Sequence, residues 1–593
     1  MVGMSNKRVN SPKRDLINYA GIFVIIILAN YILSFFAGRF DLTEDNRHSL
    51  SENTIALLQD EDRIEDRIFL KIYLDGDLPA DIMKIRNSLE EKLEEFIIYA
   101  GDKLQYEFID PNGEDDPAYN LEVQKNIYTE GIIPCDVQIM TSGQKETRTI
   151  WPGAIIEYKG KTVDQIQFFN KQIVFANEDI RGLADRTINN LEYLLISAIR
   201  RVSASSKQTV AFLQGQDELA PLQTADVRKG LDRYYLVEDV EIGGKLNALD
   251  EVDALIVAEP RKAFTEKDKF VIDQFIMNGG KVLWFVDPVE INRDSLRFTG
   301  ATMGLAANLN IEKDMLYKYG ARINSDLIID EDCGPIFIPL PEVGYVDWYF
   351  APLLKRTEHP ITKNIDPIKA EYASSLEIVN KGDVDVTKTV LLHSSANSQI
   401  FKAPARVNYG IIPIGPDAVK PKFNKGEPED AQFPVALMLE GRFSSPFENR
   451  LNDAFLESQE FDTKFKSDST KMLIVSDGDI IRNEVQQDMV DGKVQYTWYP
   501  LDEDPFGLMN PNNTPKYVYG NKDFVLNSID YMLDDFSLID VRAKTITMRV
   551  LDSQKINESK TFWKVLNIGL PLFLVMCLAI FQFLMRRVNY TKS

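Results

Sequence analysis

Cysteine and histidine are scarce in this chain, and each scarcity excludes something. The 593 residues hold three cysteines, Cys135, Cys333 and Cys577, too few for a disulfide framework, and the last lies in an apolar run. Two buried thiols at Cys135 and Cys333 are the simpler reading, with their pairing in an oxidising compartment left open. The histidines, His48, His359 and His393, stand far apart, and no Cys or His pair has ligand spacing, so no metal site is expected. Basic surplus is missing too. The net charge is −23, and such a surface repels nucleic acid, which needs clustered Lys and Arg to displace counterions. The motifs that would make an enzyme are absent: no G-x-x-x-x-G-K-[ST] loop for ATP, no G-x-S-x-G elbow, no H-E-x-x-H and no G-x-G-x-x-G. The chain therefore reads as a non-enzyme without a cofactor. The segment from Asp502 to Gly507 opens like a calcium loop but puts Phe506 where a third ligand belongs and Asn513 at the twelfth place, so it reads as a turn.

What is present begins with two uncharged runs. Residues 16–38 carry no charged side chain between Asp15 and Arg39, and ~20 apolar residues at 1.5 Å each match the hydrocarbon thickness of a bilayer. The run shows no polar face and is too long for a signal-peptide core, so it reads as an uncleaved anchor. Lys7, Arg8, Lys13 and Arg14 before it outnumber Arg39 and Arg47 after it, which places the N-terminus in the cytoplasm. A second run at 565–585, with Pro571 inside it, closes the chain. Two crossings return the chain to its starting side, so the region between lies outside the cytoplasm. The expected layout is a cytoplasmic tail 1–15, a first span 16–38, a periplasmic membrane-proximal α/β domain 39–201 and a periplasmic open α/β-sheet domain 202–535. A stalk 536–562, a second span 563–585 and a cytoplasmic tail 586–593 follow. Asn30 inside the first span and Ser34 one turn on would seek a polar partner in lipid, either on another membrane subunit or on the second span.

In the membrane-proximal part, Ser49-Leu-Ser-Glu52 reads as a capping box opening a short helix to Leu58. A strand follows at 67–74. Then Ile82, Ile85, Leu89, Leu93, Phe96 and Ile97 mark a helix between Pro79 and Gly101, and a strand runs over 104–109. Strand, helix and strand imply a right-handed crossover and a parallel pair, a unit of thioredoxin-like type without its Cys-x-x-Cys. Further strands are predicted at 137–140, 146–151, 154–158 and 162–168, and a helix from Asn177 or Asp179 to Arg200.

Beyond a polar linker at 203–207 the pattern becomes repeated strand and helix. Short apolar runs at 209–213, 236–240, 254–258 and 282–286 alternate with helices at 222–234 and 266–278, the latter capped by Thr265 and stopped by Gly279-Gly280. This is an open, mostly parallel α/β sheet, with returning strands at 433–439 and 472–475 and a closing helix at 523–533. In such sheets ligands sit beyond the carboxyl ends of the strands. Those ends supply the pocket candidates Gln214, Gln216, Asp217, Glu259, Asp287, Ser476, Asp477 and Asp479, although Asp and Ser there also cap helices and close turns. Tyr345, Trp348, Tyr349 and Phe350 form an aromatic cluster suited to packing or contact, 403–434 reads as a long surface loop, and 541–550 as a last strand or stalk.

The order of parts resembles the GldG family, the auxiliary, so-called substrate-binding component of the gliding-motility ABC transporter of Bacteroidota. The resemblance rests on the stretch Arg39 to Ser51, Phe-Ile-Asp-Pro111, Phe285-Val-Asp-Pro288, Ser476-Asp-Gly-Asp479, Asn521 to Asn527, and Trp563-Lys-Val-Leu-Asn567 leading to Pro571. It implies an inner-membrane protein that works with a separate permease and, through it, a cytoplasmic ATPase, beside envelope or gliding-machinery proteins. It also implies a glutamine-amidotransferase-like middle domain. None of Gln214, Glu259, Asp287 or Ser476 is followed by that fold's nucleophilic cysteine. The competing functional classes are an envelope scaffold without transport and a periplasmic hydrolase using Glu259 and Asp287. A reporter fused after Asp110 is expected to read as extracytoplasmic, and a cytoplasmic signal would overturn the layout.

Overall fold

The computed structural model of the chain describes residues 49–534 apart from 114–115, 142–143, 170–172, 175–179, 205–206, 339–343, 364, 381–384, 412–422, 424–431, 449, 451–462, 491–492 and 505–516. It also describes residues 21, 23–25, 27–28, 541 and 560–591. Two compact units form: Met1–Leu42 with Asn46–Lys544, and Thr43–Asp45 with Thr545–Ser593. In the second, Lys560–Thr591 is one helix with Pro571 inside it, and its stretch Phe562–Phe581 is 20 residues long, exposed, and apolar enough to cross a membrane. Of the first apolar run only residues 21, 23–25 and 27–28 are described, all helical and exposed, while Asn30 and Ser34 lie outside the described residues. The 541–550 segment is described only at Val541.

The first half of the large unit forms as its alternation dictates. Ile68–Ile72 buries every second side chain, and the helix Ala80–Ala100 turns Ile82, Ile85, Leu89, Leu93 and Phe96 inward. The strand pairs parallel with Leu104–Phe108, as the crossover requires, and antiparallel with Gly153–Tyr158, which in turn pairs with Lys161–Gln167. The cap of the helix Glu52–Leu58 is Ser51 rather than Ser49: its hydroxyl accepts the Thr54 N–H at 3.2 Å. A helix at Pro117–Thr129 had no counterpart in the sequence reading, because it buries only Ile127 and so shows no apolar stripe. The helix Ile180–Ser203 carries the expected stripe at Ile188, Leu191, Leu195 and Ile199, and its Arg201 pairs with Asp164 at 2.8 Å.

The second half is built on a 10-stranded sheet. Leu236–Glu241, Thr209–Gln214, Ala254–Ala258, Lys281–Phe285 and Lys466–Val475 run parallel in that spatial order. The expectation of a mostly parallel sheet needs correction here. Beyond Lys466–Val475 the sheet continues antiparallel through Pro434–Ser444, Val386–His393, Gly344–Arg356 and Cys333–Ile338. Periodicity does not encode direction, and these long strands alternate in register as either type would.

The parallel strands are buried on both faces. Val210, Phe212, Ile256 and Leu283 enter one core with the helix Asn521–Leu533, while Ala211, Leu213, Leu255 and Trp284 enter the other with the helix Glu266–Met277. The latter helix starts where predicted, with the Thr265 hydroxyl accepting the Asp268 N–H at 3.1 Å. The predicted helix at 222–234 is a 3-10 turn, Pro221–Thr224, followed by Ala225–Asp232. Trp348, Tyr349 and Phe350 are buried at 1 to 2% exposure, so the aromatic cluster is packing and not a contact face. The loop expected at 403–434 contains a strand, Ala405–Asn408, paired with Ala301–Ala306; of 412–431 only Phe423 is described. Cys135 and Cys333 are not joined in a disulfide, and Cys135 is buried.

Asp273 ties the second core together. Tyr319 donates to its Oδ1 at 2.7 Å, and Ser445 and Gln274 donate to its Oδ2 at 2.7 and 3.0 Å. Burial pushes its carboxyl up from 3.8 to about 6, against the pull of those donors. A raised value means the folded state holds a proton that the unfolded chain releases. The stability from this group is therefore complete below pH 3.8 and lost as pH rises through about 6. Replacing Asp273→Asn is expected to flatten the decline of the thermal midpoint across that window, measured by thermal unfolding of the full chain.

Candidate functional site

The site forms where the parallel strands end. From Thr209–Gln214 the chain crosses to Leu236–Glu241 on one side and then to Ala254–Ala258 on the other, so the direction of winding reverses beside Glu259. Crevices at such reversals are where open α/β sheets hold ligands. A cleft of about 310 Å³ opens there, lined among others by Glu259, Arg261, Asp287, Glu290, Arg293, Asp294, Tyr372, Asp479 and Arg482. A smaller cavity of about 70 Å³ shares the Arg293, Asp479 and Arg482 wall and adds Lys369, Glu371, Tyr519 and Asn521.

Three of the eight sequence candidates meet in the cleft: Glu259, Asp287 and Asp479. Glu259 follows the last residue of its strand in a left-handed conformation, φ +52°, that is strained for a side chain of its size. Its carboxylate accepts from Arg261 at 2.5 and 3.1 Å. Asp287 accepts the Gly478 N–H at 2.5 Å, and a Cβ placed on Gly478 would stand 2.6 Å from Glu259 Cγ. Only glycine lets that loop close on the two acids.

The other candidates are structural. Ser476 is fully buried and donates to the carbonyls of Ser374 and Val435 at 2.5 and 3.2 Å. Asp477 accepts the backbone N–H groups of Glu371 and Asp479 at 2.8 and 2.7 Å. The Gln214 amide donates to Leu219 O at 3.4 Å. The Gln216 carbonyl receives the N–H groups of Arg261 and Lys262, and Asp217 is an exposed turn residue at φ +65°. These three support the loop beside the cleft without lining it. At these five positions Ser, Asp and Gln close turns and hold backbone, as such residues at strand ends generally do.

The sequence reading missed the cations. Arg293 pairs with Asp479, lies 3.1 Å from Glu371, and packs beside the Tyr372 ring. Arg482 stands 3.4 Å from Asp479 and 3.5 Å from Glu259, and Lys369 donates to Glu371 at 2.8 Å. The result is a chain of alternating charge. One signal was legible, the spacing of Asp479 and Arg482 within one turn; Arg293, Lys369 and Glu371 come from distant segments.

Burial and the neighbouring Asp479 and Glu259 carboxylates push the Asp287 carboxyl well above its usual range. Burial raises Asp479 to about 6, with Arg293 opposing it. Burial also acts to raise Glu371, but Lys369 and Arg293 outweigh it and hold that carboxyl at about 2. The site thus pushes the Asp287 carboxyl up while the adjoining cavity holds the Glu371 carboxyl down. Among the described residues no group of Cys, His, Asp and Glu has a geometry that would hold a metal ion.

An α/β sheet with an ionic cleft at its carboxyl edge stands in a chain that also carries one exposed helix long and apolar enough to cross a membrane. Comparison gives the family. Residues 207–528, more than half of the chain, match the family model of the ABC-type uncharacterized transport system, auxiliary component, and the chain belongs to that family. Residues 44–157 match a domain of unknown function, DUF7088. An uncharacterized protein of Borreliella burgdorferi is 21% identical over 450 residues, 74% of this chain and 80% of that one. Among solved structures, the mmIFT52 N-terminal domain aligns at 14% identity over 46% of this chain and 88% of its own, with a TM-score of 0.26. The exo-β-1,4-mannosidase Op5Man5 of Opitutaceae bacterium strain TAV5 aligns at 12% identity over 36% of this chain and 32% of its own, with a TM-score of 0.13. Scores that low carry no argument about fold.

Replacing Gly478→Ala is expected to destabilise the full chain by about 1–3 kcal/mol, as overpacking of a closed site does, read as a lower thermal midpoint. An unchanged midpoint would show that the loop does not close on Glu259 as described.

Proposed function

We propose that this chain is a non-catalytic auxiliary subunit of an ABC transport system, binding a substrate or an envelope partner through the cleft at Glu259, Asp287 and Asp479. The observation that carries the reading is membership of the auxiliary transport family together with a cleft at the ligand-binding edge of the sheet. In this reading both apolar runs span the inner membrane, both termini are cytoplasmic, and residues 39–201 and 202–535 form two periplasmic domains, the second of glutamine-amidotransferase-like type. Two helices are too few to enclose a transport pathway, so a separate permease supplies it and a cytoplasmic ATPase drives it. The gliding-motility assignment follows from the GldG resemblance alone.

A second reading, a periplasmic hydrolase, gains from one observation: Glu259 and Asp287 line the same cleft, with burial and the neighbouring carboxylates pushing the Asp287 carboxyl up. It lacks a placed substrate and an oriented nucleophile. The ATPase rate of a reconstituted permease and ATPase pair, measured with and without this chain, tests the leading reading. A severalfold change is expected, and an unchanged rate would favour an envelope scaffold.

A further inference from the structure

The cleft leaves one acceptor unmet. Glu259 is buried, its side chain 6% exposed, yet its Oε2 takes no hydrogen bond, with Arg482 standing off at 3.5 Å. Both donors that Arg261 offers go to the other oxygen, Oε1. A buried carboxylate oxygen without a donor costs about 1–3 kcal/mol or more, and its strained backbone keeps it in place. The arrangement becomes favourable when a ligand brings the missing N–H or O–H.

Charge matching decides what the ligand is. Each arginine of the lining is already engaged: Arg261 with Glu259, Arg293 with Asp479 and Glu371, Arg482 with Asp479 and Glu259. The acids outnumber them. Glu290 and Asp294 line the same cleft, and among the described residues neither has a cation at ion-pair distance. An anionic ligand would meet only arginines that are already paired. A neutral polyol would leave the surplus acid charge unmatched. A cationic donor satisfies both the open oxygen and the surplus acid, and the field of a chain with net charge −23 favours its approach.

We propose that the cleft binds a small organic ligand carrying a protonated amine, with its N–H groups donated to Glu259 Oε2 and its charge met by Glu290 and Asp294 on the rim. This inference rests on the cleft being the binding site of the auxiliary subunit. A volume of about 310 Å³ admits a molecule of diamine size. Glu259 is then the specificity-determining residue, and Gly478, which lets the loop close on it, is a positioning residue.

The test is calorimetric titration of the full chain in detergent with 1,4-diaminobutane, with sorbitol and acetate as parallel probes. The diamine is expected to bind, weakening as salt is raised, while sorbitol and acetate give no heat. Glu259→Gln is expected to weaken binding at least ~10-fold, as loss of a charge-assisted contact does, with an unchanged far-ultraviolet circular dichroism spectrum showing that the variant is folded. Asp294→Asn, on the exposed rim, is expected to weaken it severalfold without touching the buried chain of charges. Absence of diamine binding at millimolar concentration, equal binding of sorbitol, or full binding by the Glu259→Gln chain would overturn the proposal. If the chain still changes the ATPase rate of the transporter pair when no diamine binds, this inference falls and the subunit reading stands.

Discussion

The central parallel strands are covered on both faces, and this constraint governs the rest of the molecule. Residues 254–258 and 282–285 are buried throughout, with successive side chains entering opposite cores. A charge placed there would have to be taken out of water without compensation, which costs far more than a domain of marginal stability can bear. Polar chemistry is therefore pushed to the strand ends, where backbone carbonyls and N–H groups become available and neighbouring strands bring their first loop residues together. Glu259, Asp287 and the 476–479 loop are neighbours because three adjacent strands end at one edge.

Once several acids share one half-buried edge, they cannot all stay ionised unless cations join them. Arg293, Arg482 and Lys369 do so, and the unequal supply sets the protonation pattern. Lys369 and Arg293 hold the Glu371 carboxyl down, whereas burial and the neighbouring carboxylates push the Asp287 carboxyl up. The same edge is braced from below by the helix Asn521–Leu533. Asn521 at its start exchanges two hydrogen bonds with the Lys369 backbone, at 3.0 and 2.8 Å. Near its other end Asp530 accepts from Tyr193 and Tyr235 at 3.0 and 2.7 Å, which links the helix Ile180–Ser203 to the large sheet.

Under the proposed subunit reading the cleft has one chemical task, recognition. Its features suit that task. A strained residue at the strand end, a glycine that permits closure, and an acceptor left without a donor are each costly to folding and each useful to a ligand site.

By itself the sequence determined the local and compositional features: the two uncharged runs, the acidic balance, the strands read at 209–213, 254–258 and 282–286, the helix capped by Thr265, and the sheet edge from which the pocket candidates were drawn. Each is written in short-range patterns of burial or in turn chemistry, which one chain displays directly. Only the tertiary structure decided that half of the large sheet runs antiparallel, that Ser476 and Asp477 hold backbone while Asp479 faces the cleft, and that Arg293, Lys369 and Glu371 complete it. Strand direction and the meeting of residues from distant segments depend on which surfaces bury together, and no local pattern carries that.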